Sequence, residues 1–205
     1  MNEADPRVKR TRKLLIDAFM QLLATRSFHA ISVQDIAERA TLNRATFYAH
    51  FEDKYALIDY MIRDQFRAAL QAHLPDAALF TPGNLRLLVV TVCEFLAQFH
   101  GHCAPSDRDV DPRIEAKVQR ELHTFLLRWL PSVPVKVAGA DLKRETLALL
   151  MSWSIFGAGL EWSSGDRFVS ADERARQVAA VLIEGVSHVV PEVQSSCVAH
   201  AGALG

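Results

Sequence analysis

The chain has 205 residues, half of them hydrophobic, so it is long enough and apolar enough to bury a real core. Its formal net charge is −1, but the first fifty residues hold eight basic and five acidic side chains, a balance of +3 that leaves −4 for the rest. This basic block favours a small nucleic-acid-binding domain joined to a larger module, although a solvated charged helix would carry the same pattern.

Helical periodicity runs through almost every segment and no alternating strand pattern is visible, which predicts an all-α fold. The first helix begins with Asp5, a good N-cap, and Pro6 at the first helical position, and it should end near residues 26–27. A second helix begins at Ser32, whose spacing to Asp35 is that of a capping box with a shorter acid than the usual glutamate.

A third, very short helix is predicted from Asn43, a good N-cap, to about residue 50. Phe47 and Phe51 lie four residues apart, so both can anchor this helix to the core. Asp53 then caps a long fourth helix that ends near residue 74. We place a domain boundary here, with residues 1–52 forming one domain and residues 53–205 the other.

Four further helices are predicted from apolar residues at helical spacing, over residues 85–100, 112–130, 141–163 and 171–190. Loops are expected at 81–84 and 131–141. The last two helices carry much apolar surface, including a stripe on the first of them formed by Leu149, Trp153, Phe156 and Leu160. Such a pair suits a two-fold four-helix dimer interface, and core packing within one subunit is the alternative.

The second and third helices, joined by a short turn, match a helix-turn-helix, whose second helix enters the major groove of DNA. With the two phenylalanines inward, Arg44, Thr46, Tyr48 and His50 lie on or beside the exposed face. Arg44 can pair with guanine and the Thr46 methyl with thymine, while Tyr48 and His50 can donate to phosphate oxygens. The alternative is the ordinary surface of a helical hairpin.

The run "FHAISVQDIAERATLNRATFYAHFEDKYALI" resembles the amino-terminal domain of the TetR family of bacterial transcriptional regulators. The similarity covers about the first 60 residues, and it departs from the family pattern at Ser27, Thr41, Asn43 and Ala45. The resemblance implies a helix-turn-helix domain followed by a larger helical domain that dimerises and binds a small-molecule effector. The residues that it and the exposed face assign to double-stranded DNA are Ser32, Val33, Asn43, Arg44, Ala45, Thr46, Tyr48, His50 and Lys54.

A family member of this kind would be a homodimer on a near-palindromic operator, more often a repressor that its effector releases. Candidates for the effector pocket are aromatic, histidine and leucine side chains of the central helices, although most such residues are core. They are Phe95, Phe99, His123, Leu127, Trp153 and Phe156.

His100, His102 and Cys103 fall within four residues, and imidazole with thiolate suits zinc or copper. Their spacing matches no standard zinc motif, and histidines at a helix end more often cap carbonyls. A metal-responsive regulator is therefore an alternative. A metal-dependent hydrolase lacks support, since no "HExxH", "GxSxG" or phosphate-binding loop is present, so we expect no enzyme. A constitutive architectural DNA binder would not need so large a second module.

Three irregularly spaced cysteines, Cys93, Cys103 and Cys197, argue against a disulfide framework. The amino terminus has no secretory signal, and the longest uncharged run, 146–160, is too short to span a bilayer comfortably. We expect a cytoplasmic protein with no membrane partner.

Overall fold

The computed structural model describes residues 5–74, 79–102, 112–130, 135–137 and 140–183. These residues form eight α-helices and one short β-hairpin. The helices are α1 Pro6–Leu23, α2 Val33–Arg39, α3 Arg44–His50, α4 Lys54–His73, α5 Pro82–His102, α6 Pro112–Trp129, α7 Arg144–Ser164 and α8 Ala171–Ile183. The predicted all-α fold, with a helix-turn-helix at the amino terminus, is confirmed. Among the described helices, none is both long and apolar enough to cross a membrane.

The capping residues predicted from the sequence are confirmed, because each side chain accepts a backbone N–H of the first helical turn. Asp5 accepts from Arg7 at 2.8 Å at the start of α1. Asn43 accepts from Thr46 at 2.7 Å at the start of α3, and Asp53 accepts from Ala56 at 2.7 Å at the start of α4. These bonds satisfy amides that have no partner within the helix and so fix where each helix begins.

Helix α1 ends at Leu23, earlier than predicted. The N–H groups of Thr25 and Arg26 both donate to the Leu22 carbonyl, at 3.0 and 2.9 Å, and a 3-10 turn over Phe28–Ala30 follows. The early end lets Phe28 turn inward, where its ring meets that of Phe19 edge-on with centroids 6.2 Å apart. Burial of this aromatic pair, rather than helix periodicity, decides where α1 stops.

Two predicted boundaries in the second half are wrong. Helix α5 begins at Pro82, not at residue 85, because Thr81 Oγ1 accepts the Asn84 N–H at 3.2 Å and proline fits the first helical turn. The region predicted as a loop contains a hairpin instead, with strand β1 Val135–Val137 antiparallel to strand β2 Ala140–Leu142. Helix α7 therefore begins at Arg144, and α8 is described only as far as Ile183, so its predicted extension to residue 190 lies outside the described residues.

Backbone proximity divides the chain into two compact units. The first comprises Met1–Ala68 and Ala97–Val118, and the second comprises Ala69–Leu96 and Gln119–Gly205. The predicted domain boundary between residues 52 and 53 stays a prediction.

The first unit contains the core of α1, α2 and α3. An apolar stripe on α1 is buried throughout, and so are the inward positions of the two short helices. The residues are Leu15, Ala18, Phe19, Leu22, Leu23, Ile36, Ala37, Ala40, Phe47 and Phe51. Full burial of the leucine, isoleucine and phenylalanine side chains contributes about 1.5–3 kcal/mol each, which holds two seven-residue helices that would not form alone.

The core of the second unit includes a close approach of α7 to α5. A Cβ atom at Gly159 would lie 3.1 Å from Val92 Cγ1 and 3.2 Å from Leu96 Cδ1, so only glycine fits without displacement. Around this point α5 and α7 bury apolar side chains, among them Leu88, Val89 and Ile155.

Candidate nucleic-acid interface

The turn between α2 and α3 sets the angle of the exposed helix, and its hydrogen bonds form a Schellman motif. The Leu42 N–H donates to the Ala37 carbonyl at 2.8 Å, and the Thr41 N–H donates to the Glu38 carbonyl at 3.0 Å. Thr41 adopts a φ of 58°, a left-handed conformation that glycine adopts without steric cost. The helix-turn-helix geometry is therefore formed with a β-branched residue in a conformation that favours glycine.

One face of α3 is exposed, whereas the opposite face is anchored by Phe47 and Phe51. Arg44, Ala45 and Tyr48 are exposed, with the guanidinium of Arg44 5.7 Å from the Tyr48 ring centroid. Arg44 Nη2 also donates to the Tyr48 hydroxyl at 3.2 Å. These two side chains, four residues apart, hold one another on the surface, so the arginine is directed along α3.

Thr46 is half-buried beside the cap of α3. Its hydroxyl donates to Asn43 Oδ1 at 2.9 Å, and its backbone N–H donates to the same oxygen at 2.7 Å. Because the hydroxyl hydrogen is used within the protein, the methyl group is the part of Thr46 suited to an apolar contact with a base.

The start of α2 is held by a complete capping box. The Ser32 N–H donates to Asp35 Oδ2 at 2.8 Å, the Asp35 N–H donates to Ser32 Oγ at 3.1 Å, and the Ser32 hydroxyl donates to the same carboxylate. Arg26 Nη1 adds an ion pair to Asp35 Oδ1 at 3.0 Å. The Ser32 side-chain and backbone hydrogen bonds, and then Arg26, lower the pKa of Asp35 below its usual value. Ser32 and half-buried Val33 lie at this helix start, and their predicted phosphate contacts stay a prediction.

His50 lies half-buried at the end of α3, next to a buried arginine that the sequence reasoning missed. Burial, followed by the nearby charge of Arg12, lowers the pKa of His50, so its ring is neutral at neutral pH. The Arg12 guanidinium lies 4.6 Å from the Tyr60 ring centroid and 5.7 Å from that of Phe51. Arg12 lies three residues before Leu15 on the buried stripe of α1, and that spacing was the available signal.

Lys54 opens α4, but its ammonium group is directed back toward the turn before α2. Nζ donates to the carbonyl oxygens of Ile31 at 2.8 Å, Phe28 at 3.0 Å and His29 at 3.4 Å. It also lies 4.5 Å from the Phe28 ring centroid. The Lys54 ammonium group is thus hydrogen-bonded within the protein, and its predicted phosphate contact stays a prediction.

A family model described as bacterial regulatory proteins, tetR family, matches residues 15–61, which include α2, α3 and the turn between them. Over these residues the chain is similar to the TetR family. Among curated proteins, an uncharacterized HTH-type transcriptional regulator, YxbF of Bacillus subtilis, is 40% identical over 62 residues, covering 30% of this chain and 16% of that protein. The dhaKLM operon transcriptional activator DhaS of Lactococcus lactis is 34% identical over 56 residues, covering 27% of this chain and 30% of that protein.

The matched stretch thus spans less than a third of either curated relative. Solved structures extend the likeness over most of the chain. A dihydroxyacetone kinase operon activator DhaS has a TM-score of 0.60 at 20% identity, covering 86% of this chain and 96% of that chain. FadR of Bacillus subtilis, in complex with stearoyl-CoA, has a TM-score of 0.58 at 17% identity, covering 85% of this chain and 98% of that chain. At these identities the likeness shows a shared fold alone.

The residues predicted for the effector pocket lie in different environments. Phe95, Phe99 and Phe156 are buried, and His123 and Leu127 are half-buried. Trp153 is 57% exposed, so it lies on the surface of its own unit rather than in an interior pocket. The apolar stripe predicted on α7 is accordingly divided, with Leu149 exposed beside Trp153 while Phe156 points inward.

The predicted metal cluster lies mostly outside the described residues. His100 is half-buried near the end of α5, whereas the His102 side chain and Cys103 are not described. Within the ranges that are described, no three His, Cys, Asp or Glu side chains lie close enough to hold a metal ion.

Proposed function

We propose that this chain is a homodimeric transcriptional regulator that reads a near-palindromic operator with α3, acts as a repressor, and is released by a small-molecule effector. The observation that carries the DNA-reading part is the exposed Arg44 and Tyr48 pair on a short helix whose other face is anchored in the core. Within this proposal Arg44, Ala45 and the Thr46 methyl face bases, because side chains at the start of a recognition helix contact base edges.

Tyr48 is proposed as a phosphate contact, since its hydroxyl is exposed and accepts from Arg44 at 3.2 Å, which leaves its own hydrogen to donate. His50 is a weaker partner for phosphate. Its ring is neutral and half-buried, so it offers a hydrogen bond without a positive charge.

The dimer is proposed from apolar side chains that α7 and α8 leave in water. Leu150 on α7 is 55% exposed, Trp153 on α7 is 57% exposed, and Val181 on α8 is 67% exposed. Covering them with the same surface of a second copy would stabilise the dimer by roughly 25 cal/mol for each Å² of apolar surface removed from water. Two recognition helices related by this two-fold axis would read half-sites about 34–36 Å apart, which requires a near-palindrome.

The effector is proposed to be mostly apolar with a few polar groups. The second unit buries Phe95 and Phe156, and it also buries the hydroxyls of Thr91 and Ser152. Both hydroxyls have partners, with Thr91 donating to the Leu87 carbonyl at 2.8 Å and Ser152 to the Leu149 carbonyl at 2.9 Å. A ligand entering this region would meet apolar walls with few polar atoms.

The test is gel retardation with the DNA upstream of the protein's own gene against random duplex of equal length. We expect preferential binding of the upstream fragment by the wild type. Tyr48→Phe should weaken binding to both fragments, because a phosphate contact carries no sequence information. The matched control is Arg67→Ala on the exposed side of α4, which should bind as the wild type. Equal affinity of the wild type for the two fragments would contradict the proposal.

The sign of regulation is a separate measurement, since the relative DhaS is named an activator. A reporter driven by the upstream fragment should rise when the gene is deleted and fall when it is restored. A reporter that falls on deletion would refute repression and leave DNA reading intact.

A further inference from the structure

We propose that Lys54 is a positioning residue of the DNA-reading domain, because its ammonium group holds together the two ends of the helix-turn-helix. This inference rests on the proposed function, and it assigns Lys54 a role other than the expected phosphate contact. Ile31 immediately precedes Ser32, the cap of α2, and Lys54 is the first residue of α4, three residues after Phe51. The bond from Lys54 Nζ to the Ile31 carbonyl at 2.8 Å therefore closes the segment containing α2 and α3 into a ring.

The donor count supports this assignment. A lysine ammonium has three N–H donors, and three carbonyl oxygens lie within hydrogen-bonding distance of Nζ, at 2.8, 3.0 and 3.4 Å. A phosphate oxygen that took one of these donors would displace a carbonyl, and the bonds to Phe28 and Ile31 are part-buried whereas the longer bond to His29 is exposed. Displacing the Phe28 or Ile31 carbonyl would leave a partly buried oxygen without this partner.

Aromatic rings enclose the same ammonium group. Nζ lies 4.5 Å from the ring centroid of Phe28 and 5.9 Å from that of Tyr55, and the two rings meet edge-on with centroids 5.4 Å apart. Phe28 belongs to the turn before α2 and Tyr55 to the first turn of α4. The charge is thus held by cation–π contacts from both sides of the joint that it closes.

The consequence for DNA binding is a rigid base for α2 and α3. Both helices have only seven residues, so their relative position depends on contacts with neighbouring elements. Fixing the chain where it enters α2 and where it leaves α3 lowers the ordering cost of placing the recognition helix in the groove. Loss of the clamp should weaken operator binding without removing a phosphate contact.

The experiment compares the full-length wild type with Lys54→Gln, Lys54→Arg and a matched control. The control is Lys143→Gln, which removes the same charge from an exposed lysine in the second unit. Affinity for the upstream fragment is measured over a range of salt concentrations. Hydrogen exchange of the backbone amides over residues 28–33 is measured on the DNA-free proteins, and circular dichroism confirms that each variant is folded.

We expect Lys54→Gln to lower operator affinity about tenfold with an unchanged salt slope, and to speed exchange over residues 28–33 by a similar factor. Lys54→Arg should also lose affinity, because a planar guanidinium cannot replace an ammonium among three converging carbonyls. The Lys143→Gln control should match the wild type in both measurements.

A phosphate contact gives the opposite pattern and would overturn the proposal. Lys54→Arg would then bind as the wild type, and Lys54→Gln would reduce the salt slope by about 1.8 for the two subunits of a dimer, with exchange unchanged. Wild-type affinity in Lys54→Gln would overturn it equally. If the proposed function itself were wrong, the wild type would show no preference for the upstream fragment. The role of Lys54 would then be tested by the exchange rates of Lys54→Gln alone.

Discussion

Replacing Thr41 with glycine should stabilise the helix-turn-helix, although it removes a side chain. Thr41 lies at a φ of 58°, and a left-handed conformation costs a residue with a Cβ roughly 1–2 kcal/mol. Glycine offsets about 0.5–1 kcal/mol of this gain, because it makes the unfolded chain more flexible and so raises the entropy lost on folding. The side chain is exposed, so no buried contact is lost, and both hydrogen bonds of the turn come from the backbone. The expected net gain is about 0.5–1 kcal/mol.

Hydrogen exchange of the amides over residues 37–42 reports this change locally, which matters because a chain of two units need not unfold in one step. A gain of this size slows exchange roughly two- to fivefold when exchange reflects the opening equilibrium. Ala40→Gly is the matched control, since Ala40 has a φ of −76° and its methyl is buried. It should lose about 1 kcal/mol or more. If Thr41→Gly accelerated exchange as the control does, the strain at Thr41 would be disproved.

Three further predictions concern packing, pH and assembly. Gly159→Ala places a Cβ 3.1 Å from Val92 Cγ1, so an overpacking cost of about 1–3 kcal/mol should outweigh the helix-propensity gain of about 1 kcal/mol and lower the melting temperature; a raised melting temperature would contradict the close approach. The pKa of His50 is lowered by burial and by Arg12. The stability that this neutral ring contributes is therefore present above pH ~6.5 and is lost as the pH falls through the folded pKa. His50→Gln should flatten this dependence of the unfolding free energy on pH, measured by urea titrations. Trp153→Asp should shift the protein from dimer to monomer in sedimentation, whereas an unchanged dimer would place the interface elsewhere.

Features that depend on a few neighbouring residues were predictable from the sequence. The caps Asp5, Asn43 and Asp53 each bond an amide two or three residues ahead, so residue type and spacing are sufficient. Phe47 and Phe51 followed from helical spacing in the same way. Once these two residues are assigned to the core, the remaining positions of the short helix form the exposed face that is proposed to read DNA.

Features that depend on distant residues were not predictable. The early end of α1 is decided by Phe28 packing on Phe19, and helix periodicity carries no information on that contact. The carbonyl partners of Lys54 were not predicted, because they lie 23 to 26 residues earlier in the chain. Trp153 has the spacing of a core residue, and only the fold shows that its face of α7 is left exposed.

The central claim is that α3 reads DNA sequence through Arg44 as part of a dimer. The most direct measurement is selection of bound duplexes from a random library by the wild type and by Arg44→Ala. The account predicts that the wild type enriches a near-palindrome with half-sites about one helical turn apart, and that Arg44→Ala relaxes the preference at one symmetric pair of positions. A wild type that enriches no motif, or an Arg44→Ala variant that enriches the same motif with the same stringency, would contradict it.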